Sequence, residues 1–105
     1  MNDDQPFTCI WEYRVRPERA GDFERAYGPE GDWATLFRRA PGYLRTELHR
    51  DRDDPLRFVT IDFWKSSAAW ERFRADFAAD YEALDAACER LTISEREVGR
   101  FGTIE

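Results

Sequence analysis

The chain has 105 residues, 36% of them charged and 42% hydrophobic, with a formal net charge of −6, enough for one compact domain and too little for a second. An aromatic content of 15% excludes an acidic disordered chain, and no run approaches the roughly 18 apolar residues of a membrane helix. The acidic balance argues against a nucleic-acid or anionic-membrane surface, which needs a net basic face.

Residues 1–6 (Met1-Asn2-Asp3-Asp4-Gln5-Pro6) lack the basic-then-apolar layout of a signal peptide, so they are expected to form a tail on a cytoplasmic protein whose domain spans 7–105. Phe7 to Arg16 alternates with period two. Phe7, Cys9, Trp11, Tyr13 and Val15 point one way, and Thr8, Ile10, Glu12, Arg14 and Arg16 point the other, which predicts a strand. Pro17 suits the first turn of a helix that buries Ala20, Phe23 and Tyr27. After the break at Gly28-Pro29-Glu30-Gly31, Asp32 can cap a short helix carrying Trp33, Leu36 and Phe37, which Pro41-Gly42 stops.

Two strands follow, Tyr43 to Arg50 and Arg57 to Trp64, joined by a turn-rich segment. A register in which paired numbers sum to an odd value gathers Leu44, Thr46 and Leu48 on one side with Val59, Ile61 and Phe63. The other side then collects Tyr43, Arg45, Glu47, His49, Phe58, Thr60, Asp62 and Trp64, with Arg45 across from Asp62. Ser66-Ser67 can cap a third helical region, whose apolar row from Trp70 to Leu91 steps by three and four and is expected to kink or split near Asp80. Ile93 to Phe101 is a last strand, in which Gly99 marks a bulge or a close approach.

Strand, helices, strand, strand, helix, strand is the order of an α+β, ferredoxin-like antiparallel sheet with helices on one face. Both faces of the hairpin carry large apolar groups, so a second copy is expected to cover the face the helices leave open, making a homodimer. Cys9 and Cys88 form no CxxC and are expected to be reduced. With one histidine and two cysteines in the chain, no metal site is expected.

Residues from about Phe7 to Phe101 also carry a likeness. It lies in the aromatic first strand with Pro17 after it, Trp33 leading into Pro41-Gly42-Tyr43, the hairpin ending in Asp62-Phe63-Trp64, the Ser66-Ser67 cap, Trp70 and Phe73. The pattern resembles the antibiotic biosynthesis monooxygenase family of dimeric α+β barrels. The resemblance implies two sheets packed face to face across a dimer, a pocket between each sheet and its helices, and cofactor-free oxidation of polycyclic phenols or anthrones by molecular oxygen. It also implies a Trp at the end of this strand, an Asn four residues earlier and a Tyr six later. Trp64 fills the first position, while Thr60 and Trp70 replace the other two. The chain's one asparagine is Asn2, so the family's Asn is absent. In the haem-degrading relatives a helical His is implied where Arg74 stands, which argues against haem oxidation.

Among the candidates, His49 has the one side chain whose ordinary pKa lies near neutrality, and Asp62 shares its expected face. These two are the expected catalytic residues, with Trp64, Thr60, Trp70, Phe58, Tyr43 and Arg45 lining the pocket. Each has a plainer role to set beside it: packing for Trp64, a rim hydrogen bond for His49, and for Asp62 with Arg45 a cross-strand ion pair worth about 0.2–1 kcal/mol. Glu12 and Tyr13 face opposite ways, so at most one enters the pocket. Asp51, Asp53 and Asp54 form a turn and no calcium loop, since the glycine and glutamate that loop needs are missing. The expected function is cofactor-independent oxygenation of a small reduced aromatic such as an anthrone, a quinol or a polyketide-like compound. The alternatives are a non-catalytic barrel that binds a small apolar or aromatic ligand, and an isomerase or cyclase on the same scaffold.

Overall fold

Alternating inward and outward side chains build β1 (Phe7–Val15), whose Cys9, Tyr13 and Val15 are buried while Arg14 is exposed. The computed structural model describes residues 5–104. The expected tail therefore lies mostly outside the described residues, although the Pro6 carbonyl accepts a hydrogen bond from Thr103 N at 2.9 Å. Pro17 opens a short 3-10 turn that runs into α1 (Ala20–Tyr27), and α2 (Asp32–Phe37) follows. The hairpin strands are β2 (Tyr43–Arg50) and β3 (Arg57–Trp64).

The third helical region starts where Ser66 Oγ accepts from Ala69 N at 3.1 Å, an N-cap. It divides into α3 (Ser67–Asp76) and α4 (Ala78–Cys88). The division comes at Phe77, whose φ of −116° and ψ of 25° leave the helical region, so the split lies ahead of its expected place near Asp80. β4 (Thr92–Gly102) closes the chain. Its register against β1 shifts between Ile10 and Trp11, which leaves Val98 as an extra residue beside Gly99. All pairings are antiparallel, in the order β2-β3-β1-β4. The fold is α+β and ferredoxin-like, with its aromatic core between one sheet face and the helices.

The hairpin register corrects the expected one. Thr46 pairs with Asp62 and Leu48 with Thr60, so the numbers sum to an even value. The loop decides this. Asp51 Oδ1 accepts from Asp53 N at 2.8 Å and Asp54 Oδ1 from Leu56 N at 3.0 Å, two local side-chain turns of the kind aspartate forms readily. Asp51 N also donates to the Arg57 carbonyl at 2.8 Å, and this closure sets Arg50 opposite Phe58. Because side chains alternate, a one-residue change exchanges the faces of β2. Thr46 and Leu48 turn toward the helices, while Arg45, Glu47 and His49 turn outward beside Val59, Ile61 and Phe63.

A register shift between Tyr43 and Arg45 then restores Tyr43 to the inner face, opposite Trp64, and leaves Leu44 55% exposed. Gly42 makes this entry possible. Its φ of +93° and the 2.6 Å that a Cβ would leave to the Ala69 Cβ both require glycine. Among the described residues, no helix is long and apolar enough to cross a membrane.

Candidate active site

Between the inner sheet face and the helices lies a cavity of about 350 Å³. Its sheet side is formed by Thr46 from β2, Thr60, Asp62 and Trp64 from β3, and Cys9, Trp11 and Tyr13 from β1. Tyr27, Trp33 and Phe37 form one wall and Trp70 and Tyr81 another, so aromatic rings make up nearly half of the lining residues. Arg74, Asp85, Glu95, Glu97 and Arg100 bring charge to it. A cavity of this size, with aromatic walls and polar and charged groups set among them, can hold a small molecule.

Trp64 is 1% exposed and meets Phe37 edge-on, ring centres 5.7 Å apart. Both arginines of the lining lie over rings. Arg74 sits 4.0 Å from the centre of Tyr81, and Arg100 sits 4.7 Å from Trp70 while pairing with Glu97 at 2.9 Å.

Asp62 is the acidic group that β3 sets into the sheet side of the cavity, where β4 adds Glu95 and Glu97. Thr46 Oγ1 donates to its Oδ1 at 2.7 Å. A threonine hydroxyl has one hydrogen, so the Tyr43 hydroxyl, 2.7 Å from Thr46 Oγ1, is the donor in that contact. The chain of donation thus runs Tyr43, Thr46, Asp62. Oδ2 makes no hydrogen bond among the described residues, and no arginine pairs with the carboxylate. Burial without a cation pushes its pKa from 3.8 to about 6, with the Thr46 hydrogen bond opposing the shift. Desolvation, and then the Asp62 charge, push the neighbouring Cys9 thiol up to about 12, so Cys9 stays a neutral thiol. Beside Asp62, Thr60 Oγ1 lies 3.1 Å from the Tyr13 hydroxyl.

The model of the antibiotic biosynthesis monooxygenase family matches residues 6–82. The chain belongs to that family. SnoaB, a cofactor-independent oxygenase from Streptomyces nogalater, is 26% identical over 96% of this chain and 95% of its own, with a TM-score of 0.65, and of 0.73 for a mutant of it. A Pseudomonas aeruginosa protein is 23% identical over the whole of both chains, at a TM-score of 0.69. A Shewanella oneidensis protein is 20% identical over 95% of this chain and 92% of its own, also at 0.69. These last two are likenesses of fold. No curated protein matches the chain.

Of the residues singled out in the sequence of this family member, Asp62, Thr60, Trp64 and Trp70 meet at the cavity. Tyr43 stands behind it, joined through Thr46. Phe58 is 2% exposed and packs on Phe23 at a ring distance of 5.0 Å, away from the lining. His49 and Arg45 lie on the opposite sheet face, which corrects their expected place. The His49 side chain is 58% exposed and its Nε2 lies 3.0 Å from Glu47 Oε1, while Arg45 stacks 3.8 Å over Phe63 and pairs with Glu47. Of Glu12 and Tyr13, it is Tyr13 that enters. Thr46 had been placed on the wrong face, and nothing in its own sequence context marks it. Glu95, Glu97 and Arg100 alternate on β4 and could have been found by pairing that strand with β1.

The raised pKa of Asp62 carries a stability consequence. The folded state binds this proton more tightly than the unfolded chain, so the carboxyl costs nothing below about pH 4. Its ionisation erodes stability as pH rises to about 6, by up to about 3 kcal/mol at about 1.4 kcal/mol per pKa unit. Asp62→Asn should therefore be more stable than the native protein by about 1–3 kcal/mol at pH 8 and nearly equal to it at pH 4. Urea denaturation at the two pH values checks this. An equal difference at both would contradict a buried, raised carboxyl.

Proposed function

We propose that this protein is a cofactor-independent oxygenase of a small reduced aromatic, an anthrone or hydroxylated polyketide-like compound, with Asp62 as general base. The carrying observation is one carboxylate, unpaired with any cation and raised to about 6, on the sheet side of an aromatic-walled cavity of about 350 Å³. A base of that pKa is largely ionised at neutral pH and still strong enough to take a proton from an acidic phenol or anthrone methylene. The resulting carbanion–phenolate is electron-rich. It passes one electron to molecular oxygen, and the radical pair combines to a peroxide at the ring carbon. The proton held by Asp62 returns to the peroxide, which loses water to leave a carbonyl. The methylene and dioxygen are thus converted to a quinone carbonyl and one water, with no outside reductant. Trp64, Trp70 and Phe37 would hold the ring system and keep the anion in surroundings poor in water. The relationship to SnoaB supports the same class of chemistry.

Oxygen uptake by metal-stripped protein with a dihydroxyanthrone tests this, with the anthraquinone product followed by absorbance and spontaneous oxidation subtracted. Asp62→Asn should lower kcat/KM by about 10²–10⁴-fold, and His49→Ala should leave it unchanged. In the native protein kcat/KM should climb with pH through about 6, as the carboxyl ionises. A native rate in Asp62→Asn would remove Asp62 as the base. No protein-dependent uptake across anthrones and quinols would leave a pocket that binds and does not oxidise.

The proposed assembly is a homodimer with the outer sheet faces in contact. Ile10, Ile61 and Phe63 lie on that face with Phe101, which is 46% exposed, and salt bridges of Glu12 to Arg57 and Arg96 flank them. Covering such a face removes apolar surface from water. Sedimentation at micromolar concentration should give twice the chain mass, and a monomer would contradict the pairing.

A further inference from the structure

The hydrogen bonds of one hydroxyl pair on the sheet side of the cavity can be counted, and the count leaves one donor over. Tyr13 and Thr60 each bring a single hydroxyl hydrogen. They are 6% and 3% exposed, both line the cavity, and either can be the donor in the 3.1 Å bond between them. Neither hydroxyl makes another hydrogen bond among the described residues. One hydrogen is used in that bond and one remains, from whichever oxygen is not donating. Desolvation raises the Tyr13 hydroxyl well above its ordinary pKa, so the pair keeps both hydrogens across the working pH range. Two positions along the same face of β3, about 7 Å away by strand geometry, stands Asp62 with Oδ2 open. The inner face of β1 and β3 thus presents this donor beside the open acceptor of Asp62, while Trp33 Nε1, which has no partner among the described residues, and Arg74 lie on the helix side of the cavity.

Resting on the oxygenase reading above, we infer that the Tyr13–Thr60 hydroxyl pair donates a hydrogen bond to the substrate's carbonyl oxygen. That complement suits the substrate class already proposed. It is a hydroxyaryl ketone in which one ring system carries both an acidic hydrogen, for Asp62, and a carbonyl oxygen, for the pair. When Asp62 removes the hydrogen, negative charge moves onto that oxygen, and a donor already in place strengthens as the charge develops. The pair is also redundant: with either hydroxyl gone, the other is released from its partner and still has its hydrogen to give.

Redundancy gives the test its form. The probe is a dihydroxyanthraquinone, already fully oxidised, whose affinity is read by visible absorbance without turnover. Tyr13→Phe and Thr60→Val should each bind it within about threefold of native, and the double variant should bind about 10–100-fold more weakly, the loss of one hydrogen bond to a buried acceptor. Tyr13→Phe with Thr60→Ser, which keeps a hydroxyl, should bind like Tyr13→Phe alone. A pair that only ties β1 to β3 would lower the melting temperature of these variants and leave their affinities equal. Equal affinity in native and double variant, or no binding by the native protein, overturns the inference. The two proposals also fail separately. Hydroxyl-dependent binding without oxygen uptake would discard the oxygenase and keep the donor, whereas uptake with hydroxyl-independent binding would do the reverse.

Discussion

The 2.7 Å hydrogen bond from Thr46 to Asp62 links the two sides of the hairpin, and both faces of the sheet depend on the pairing that makes it. With Thr46 opposite Asp62, the inner face holds Thr60, Asp62 and Trp64, and the outer face holds the Arg45–Glu47–His49 cluster. Moved by one residue, β2 would set Arg45 against Asp62, and the carboxylate would become half of an ordinary ion pair with its pKa lowered. Its basicity comes from desolvation, with no cation paired to oppose it. Two arginines border the same cavity, yet Arg100 is engaged by Glu97 and both lie over aromatic rings.

That arrangement sets stability against chemistry. An ionised carboxylate without a cationic partner is costly to bury, and a fold of this size has a small margin to offset it. The offset comes from the aromatic packing around the site. Trp64, Phe73 and Phe37 contact one another at ring distances of 5.2–5.7 Å, and Phe23 and Phe73 are at most 1% exposed. β4 pairs along the whole of β1 as well. The cavity is therefore held on three sides by regular structure, which favours a fixed first contact shell over an adaptable one.

Much of this was legible in the sequence. The alternation of β1, the limits of β2 and β3, the Ser66 cap and the bulge at Gly99 follow from local rules, and with them the α+β class. On β3 the inner face was read correctly, because Phe58, Thr60, Asp62 and Trp64 alternate without interruption. The register of β2 was not legible, because its apolar residues are few and fit either side. Counting them favoured the odd-sum pairing, whereas side-chain hydrogen bonds of Asp51 and Asp54 within the loop set the even one. The shift at Leu44 then returned Tyr43 to the inner side, so two departures cancel there and nowhere else. His49 followed β2 to the wrong face for the same reason. Tyr13 could not be chosen over Glu12 until β1 had a neighbour on each side.

The central claim is that Asp62 is a desolvated, cation-free carboxyl with a raised pKa. Its most direct test is a carbon-13 NMR titration of the aspartate side-chain carboxyls, with the Asp62 signal identified by its loss in Asp62→Asn. One carboxyl should titrate near about 6, and it should be the one missing in the variant. An Asp62 signal that titrates with the other aspartates, at about 4 or below, would contradict the account.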